Sequence, residues 1–310
     1  LHRVDRRQRQ MCIRDSKCTL QCPFCERQNK DFKDYKGLMK DMSLEQFKKI
    51  ASSNEHIGFC GQISDPIFNV NFIEILKYSY TNKNIISVNT AANHPKQNWY
   101  KEAFKANPDA LWCFGIDGLP SKDNPHRINQ KSMLLFNNMM LGKSMGIKCQ
   151  WQCIIFSFNE KDVEEIQELA KQIGVTLRLI LSNRFNDNTL RPSKGLYVEK
   201  YYDTKKEGEL RPKCLPKAEL GNSAMGYLLP CCWLAEGNVE KKYPFLCNKN
   251  THLDNINSVQ ELLDTKEYKD FYKILTTTPE KAPNRCWEKC SSKSGEHKKY
   301  IYLHEGVGSV

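Results

Sequence analysis

Apolar and polar residues alternate along this chain in two rhythms. Short apolar runs rich in β-branched and aromatic residues read as strands, and stretches with apolar positions three and four apart read as helices. Met11-Cys12-Ile13 is the only candidate for an opening strand, and it is short. Ser43-Leu44-Glu45-Gln46 has the form of a capping box and predicts a helix with Leu44, Phe47 and Ile50 as its stripe. A strand over 56–61 runs into the turn Gly61-Gln62-Ile63-Ser64-Asp65-Pro66. A helix around 72–80, a strand over 85–90 and a helix over 99–106 follow, then a strongly apolar strand over 111–118. Residues 133–145 form a Met- and Leu-rich helix closed by Gly146, and residues 149–156 the next strand. Asn159 is placed to cap a helix over 160–173, whose stripe is Val163, Ile166, Leu169, Ala170 and Ile173. Gly174 ends that helix, and residues 175–181 make a sixth strand. Strands alternating with helices at intervals of roughly 30 residues argue for βα units and a parallel sheet.

The rhythm stops at residues 183–209, a polar, charged stretch with Arg191-Pro192 and Gly195 that reads as a linker or lid. One further capped helix is predicted from Ser258-Val259-Gln260-Glu261 to about Leu275. No run approaches the roughly 18 apolar residues of a membrane span, and no apolar signal core lies near the start. Both point to a cytoplasmic protein without a membrane partner. The formal net charge is +11. Residues 1–17 hold six basic and two acidic residues without apolar periodicity, so 1–16 is expected to be a leader, appended or disordered. The remaining excess is spread over Lys-rich helix faces. It reads as solvated surface ahead of a nucleic-acid site.

Fourteen cysteines are too many for a protein of a reducing compartment unless some hold metal. Cys18, Cys22 and Cys25 stand at C-x3-C-x2-C, too close for strain-free disulfides and one ligand short of a closed zinc site. Thiolates crowded on one loop suit an iron–sulfur cluster, and three of them leave one iron of a [4Fe–4S] cube open. A zinc knuckle borrowing a distant fourth ligand is the alternative. Cys60, Cys113, Cys149 and Cys153 fall in apolar strand-like runs and read as buried small hydrophobes. Cys214, Cys231, Cys232, Cys247, Cys286 and Cys290 gather in the last third, which points to a second cluster.

The C-x3-C-x2-C loop, with aromatic Phe24 just before its last cysteine, resembles the radical SAM superfamily. The resemblance implies an α/β fold: a partial (β/α)6 barrel over 17–185 in which Cys18, Cys22 and Cys25 hold a [4Fe–4S] cluster. S-adenosylmethionine (SAM) would chelate the open iron, with Phe24 beside its adenine. Gly61, Asp65 and Pro66 resemble the Gly-Gly-Glu-Pro-like turn that meets the SAM amino group. Asn89 and Thr90, at a strand end, are further candidate contacts. Gly115-Ile116-Asp117-Gly118 resembles the Ser-Ile-Asp-Gly of the fourth strand, with Gly115 in place of the serine. Arg127 stands where related enzymes grip the SAM carboxylate, expected on a loop above the barrel.

Cys214, eleven residues, then Gly226, four residues and Cys231 match C-x(9–15)-G-x4-C, which resembles the opening of a SPASM or shortened Twitch domain. With Cys286 and Cys290 these would hold one auxiliary [4Fe–4S] cluster in a small C-terminal cysteine-rich domain over 211–292, after a linker at 186–210 and before a tail at 293–310. A zinc ribbon on the same four cysteines is the rival reading. Cys232 stands where sulfatase-maturating relatives carry an aspartate, so that reaction is not expected. The implied activity is reductive cleavage of SAM to a 5′-deoxyadenosyl radical and hydrogen abstraction from a peptide or protein, which makes the chain an oxidoreductase or peptide-modifying enzyme. An external electron donor such as flavodoxin or ferredoxin would serve it. Oxidation of a small-molecule substrate or modification of RNA is the alternative within that chemistry, and a zinc-binding nucleic-acid-binding protein the alternative outside it.

Overall fold

The computed structural model describes residues 10–13, 17–23, 25–28, 40–60, 64–96, 98–182, 190–198, 206–217, 220–235, 238–293 and 298–303. Six strands follow the predicted order: β1 (Gln10–Ile13), β2 (His56–Phe59), β3 (Ile85–Thr90), β4 (Leu111–Gly115), β5 (Lys148–Ile154) and β6 (Thr176–Ser182). The first lies where Met11-Cys12-Ile13 pointed, inside the stretch expected to be a leader, and pairs Met11 with Ile57 of β2. Among these six every pairing is parallel, with Val88 opposite Trp112 and Gln152 opposite Arg178. Between them run α1 (Leu44–Ala51), α2 (Phe72–Thr81), α3 (Trp99–Ala106), α4 (Ser132–Ser144) and α5 (Val163–Ile173).

Local chemistry sets several of these boundaries. The capping box of α1 is formed, with the Gln46 amide donating to Ser43 Oγ at 3.1 Å and the Ser43 amide to Gln46 Oε1 at 2.9 Å. Gly174 ends α5 in the left-handed conformation at φ 62°. Asn159 does not cap that helix. Its Oδ1 accepts the Phe156 amide at 2.8 Å and its Nδ2 donates to Ile154 O at 2.9 Å, so the side chain closes the turn behind β5. A 3-10 turn at Glu160–Asp162 then leads into α5.

Alternation along each strand sends one set of side chains toward the helices and the other into the barrel lumen. The helix-facing set is aromatic where α2 and α3 cross the sheet. Trp112 packs edge-on against Phe104 at 5.2 Å, and against Phe72 at 6.3 Å and Trp99 at 6.5 Å between ring centroids. Trp112 is fully buried. Trp112→Ala is expected to destabilise the protein by about 3–5 kcal/mol, read as a shift of the urea midpoint with an unchanged slope. A loss under about 1 kcal/mol would mean that this layer collapses around the gap.

The last third shares the same sheet. β7 (Leu220–Asn222) pairs parallel with β1, β8 (Leu228–Leu229) returns antiparallel on β7, and β9 (Lys298–Leu303) lies antiparallel along β6. The sheet order is β8-β7-β1-β2-β3-β4-β5-β6-β9, so residues expected in a separate domain and a tail flank both barrel edges. The hairpin turns at Gly226, φ 85°. The helix predicted from Ser258 is two helices, α8 (Val259–Leu263) and α9 (Lys266–Thr277), beyond the short α6 (Cys214–Lys217) and α7 (Val239–Lys242). The break is at Thr265, whose hydroxyl donates to Leu262 O at 2.7 Å and accepts the Tyr268 amide as cap of α9. α10 (Asn284–Cys290) follows.

Candidate functional site

Parallel strands deliver their C-terminal ends to one end of the barrel, where βα loops gather functional side chains. One cavity there is lined by Cys18, Cys22 and Cys25 on the cysteine loop and by Asp65, Asn89, Thr90, Gly115 and Arg127 at the strand ends. Cys113, Gln152, Arg27 and Ser64 complete its polar lining. Asp117, just past β4, stands behind Arg127. Phe24 and Gly61, expected at the same site, lie outside the described residues.

Backbone contacts pin the cysteine loop to the barrel. The Gln21 amide donates to Ile128 O at 3.1 Å, and the Asp65 amide to Lys17 O at 2.7 Å. Within the loop the Cys25 amide donates to Cys22 O at 3.0 Å. Burial pushes the Cys18 thiol up to about 12, with the Asp65 carboxylate adding to the effect and Arg27 opposing it. Burial also raises the Cys22 thiol, against the nearby Arg127 guanidinium.

Asp65 is buried and fully engaged. Its Oδ2 accepts the amides of Ala91 at 2.8 Å and Ala92 at 3.0 Å and the Thr90 hydroxyl at 3.0 Å, and its Oδ1 the Ile67 amide at 3.4 Å. Burial raises its pKa, and these donors work against the rise. Asp65 and Thr90 therefore line the cavity as a clamp between the ends of β2 and β3. Their polar atoms are spent on each other, on backbone and, for Thr90, on the Tyr100 hydroxyl at 3.4 Å. Asn89 Nδ2 reaches Phe59 O at 3.4 Å.

Arg127 is not a solvated loop residue. Its side chain is 11% exposed, and its Nε meets Oδ2 of the fully buried Asp117 at 2.6 Å. Its Nη2 lies 3.4 Å from Asp117 Oδ1, which also accepts the Ile154 amide at 2.8 Å. Gly115 makes this possible. A Cβ at that position would stand 3.0 Å from Arg127 Nη2 and 3.3 Å from its Cζ, so a serine there would crowd the guanidinium. Sequence reasoning missed Cys113, which lines the cavity instead of serving only as packing, and Gln152 opposite Gly115 in the register. Polar residues inside otherwise apolar strands were the available signal.

The lining suits a thiolate-bound cluster in donor type and placement, since three soft thiols of one short loop face one cavity beside a buried cation. Among the described residues no three Cys, His, Asp or Glu side chains converge tightly enough to hold a metal ion as they stand.

The second cysteine group brings Cys231 and Cys286 within electrostatic reach of Cys214. Cys286 and Cys290 are one helical turn apart on α10, and Cys286 lies within electrostatic reach of both Cys214 and Cys290. Cys231 is hydrogen-bonded to Cys232 and within reach of Cys214, which together with burial holds its thiol raised. Gly221 of β7 packs on this turn, and a Cβ there would come within 2.7 Å of Cys232 Cα. Cys214 is thus the common neighbour of Cys231 and Cys286, with Cys232 beside Cys231 and Cys290 beside Cys286. Tyr268 bears on the fit: its side chain is buried, within electrostatic reach of Cys214 and Cys247, and its hydroxyl has no hydrogen-bond partner. A sulfur-rich cluster at this place would supply the missing acceptor.

No family model and no curated protein matches the chain. Solved structures do match. Native anSMEcpe with bound AdoMet superposes with TM-score 0.57 at 17% identity, over 93% of this chain and 92% of that one. Streptococcus suis SuiB matches with TM-score 0.56 at 13% identity, over 86% of this chain and 68% of that one. SuiB bound to the precursor peptide SuiA matches with TM-score 0.56 at 12% identity, over 86% and 66%. At these identities the likeness is one of fold, and the α/β barrel is the architecture this chain shares with anSMEcpe and SuiB.

Proposed function

We propose that the chain is a radical SAM enzyme with a SPASM- or Twitch-type auxiliary cluster, acting on a peptide or protein. The observation that carries the reading is the convergence of Cys18, Cys22 and Cys25 on one cavity with the Asp117–Arg127 pair. The shared fold supports it, since matching structures hold AdoMet and, for SuiB, a precursor peptide. When bound, a [4Fe–4S] cluster and SAM supply one-electron cleavage of the sulfonium and a 5′-deoxyadenosyl radical that takes hydrogen from the substrate.

The chain's own residues bind and orient. Cys18, Cys22 and Cys25 would hold the cluster at the mouth of the cavity. Arg127, held in register by Asp117, is the cation for the SAM carboxylate, a task that suits a planar guanidinium. Asp65 and Thr90 fix the strand ends so that backbone presents itself to SAM, while Asn89 and Gly115 shape the wall. Cys214, Cys231, Cys286 and Cys290 are the auxiliary ligands. A flavodoxin or ferredoxin supplies the electron in a cytoplasmic setting.

Anaerobic reconstitution tests this. The protein is expected to bind about eight irons, two cubes of four, and to release 5′-deoxyadenosine and methionine from SAM under strong reductant. Tight zinc loading with no iron uptake would defeat both cluster assignments.

A further inference from the structure

Among the described residues, a cation in the barrel lumen, Arg178, has no carboxylate paired with it. Arg178 sits on β6 opposite Gln152 of β5 and Tyr302 of β9, on the lumen side of the sheet. Its neighbours in the strand, Leu177 and Leu179, point the other way into the helix layer and are buried. Arg178 Nη2 donates to Gln152 Oε1 and lies 3.5 Å from Asn89 Oδ1. Both acceptors are neutral, and both belong to residues that line the cavity of the cysteine loop. Arg178 Nε is buried without a hydrogen-bond partner, and among the described residues no carboxylate pairs with this side chain. Arg127 has Asp117. Arg178 has no equivalent.

The far side of the guanidinium is aromatic. Arg178 lies over the Tyr300 ring at 5.4 Å, and Tyr300 and Tyr302 stack at 6.4 Å with 27° between their planes. Tyr300 and Tyr302 share the lumen face with Arg178, because β9 pairs Tyr302 with Arg178 and Tyr300 with Ile180. They are 45% and 47% exposed, whereas Ile301 packs against the core on the opposite face. A planar cation with an unused donor, backed by two open tyrosine faces, is a receptor for a planar anion on an organic chain. Burying a cation against neutral amides alone is unfavourable, and an arriving carboxylate relieves it.

We propose that Arg178, with Tyr300 and Tyr302, forms the substrate seat and takes a carboxylate of the substrate. The inference rests on the proposed function for where the chemistry happens, and it adds the substrate class: an acidic peptide, with glutamate or aspartate beside the position that loses hydrogen. The carboxylate anchors to the Nε edge of Arg178 while the adjoining chain lies on the tyrosines. That brings the neighbouring carbon toward the cavity lined by Asn89 and Gln152.

The test is an anaerobic binding titration on cluster-loaded full-length protein, with and without SAM. The probes are two acetylated, amidated peptide pools that differ only in a central Glu or Gln. Wild-type protein should prefer the Glu pool by roughly tenfold or more, the scale of one charge-assisted pair. Arg178→Gln should erase the preference. Arg178→Lys should restore part of it, because a point charge lacks the fork. Tyr300→Leu should weaken both pools alike while keeping the preference, and it reports on the seat even if an Arg178 variant folds poorly. Glutarate competing as well as the Glu pool would assign the seat to a small acid and overturn the peptide part. A uridine oligonucleotide bound through Arg178 in preference to either pool would overturn the carboxylate. Equal binding of the two pools by wild type, or a tenfold loss of SAM affinity in Arg178→Gln, would also overturn the proposal. No SAM binding by wild type with the Glu preference intact would sink the proposed function and keep the Arg178 site.

Discussion

Arg127→Ala is expected to cost the protein about 3–5 kcal/mol of stability, because it strands the buried carboxylate of Asp117 without its counter-charge. The Ile154 amide still donates to that carboxylate, but one neutral donor does not replace a cation. The double variant Asp117→Leu/Arg127→Leu should recover most of the loss, since removing both charges removes the penalty. SAM affinity should fall roughly ten- to a hundredfold in Arg127→Ala, the scale of one charge-assisted contact. Arg127→Lys should hold the fold better than it holds SAM. Urea unfolding and SAM titration on the same samples check this. Equal stability and equal affinity in Arg127→Ala would remove both the pair and the carboxylate role.

Cys22→Ala is expected to abolish 5′-deoxyadenosine formation and to lower bound iron to about four, one cube of the two. Its neighbours on the loop cannot substitute, since two thiols do not hold a cube that is already one ligand short. The C-terminal group should keep its iron, because its cysteines lie on α10 and around the β7–β8 hairpin. Iron analysis with a SAM cleavage assay under dithionite decides it. Undiminished cleavage would take the loop out of the chemistry.

Both predictions begin from residues that sequence spacing had singled out, but the structure changed what one of them means. Arg127 was legible as a cation ten residues past Asp117. That the two form a buried pair was not, because the loop between them folds back in a way no local pattern records. The strand and helix boundaries of β3 and α3 were legible, since dense apolar periodicity and simple ends fix them. Asn159 was misread because an asparagine before a helix is equally suited to closing the turn behind a strand. Thr265 was missed as a break because the apolar stripe continues across it. Arg178 carried a signal, one charge in the otherwise apolar run of β6, yet only the register with Asn89, Gln152 and Tyr302 gives that charge a place.

The pairings at the sheet edges set the order in which the fold can be completed. Residue 11 lies beside residue 220, and residue 178 beside residue 302. Contacts this remote in sequence carry a large loop-closure entropy and slow the search for the native register. On a ribosome adding roughly 5–20 residues per second, β1 to β6 would wait through the synthesis of the entire cysteine-rich third with unpaired backbone on both flanks. Exposed strand edges of that kind invite pairing with another nascent chain. A holdase acting before residue 303 emerges should therefore raise soluble yield more than one supplied after release.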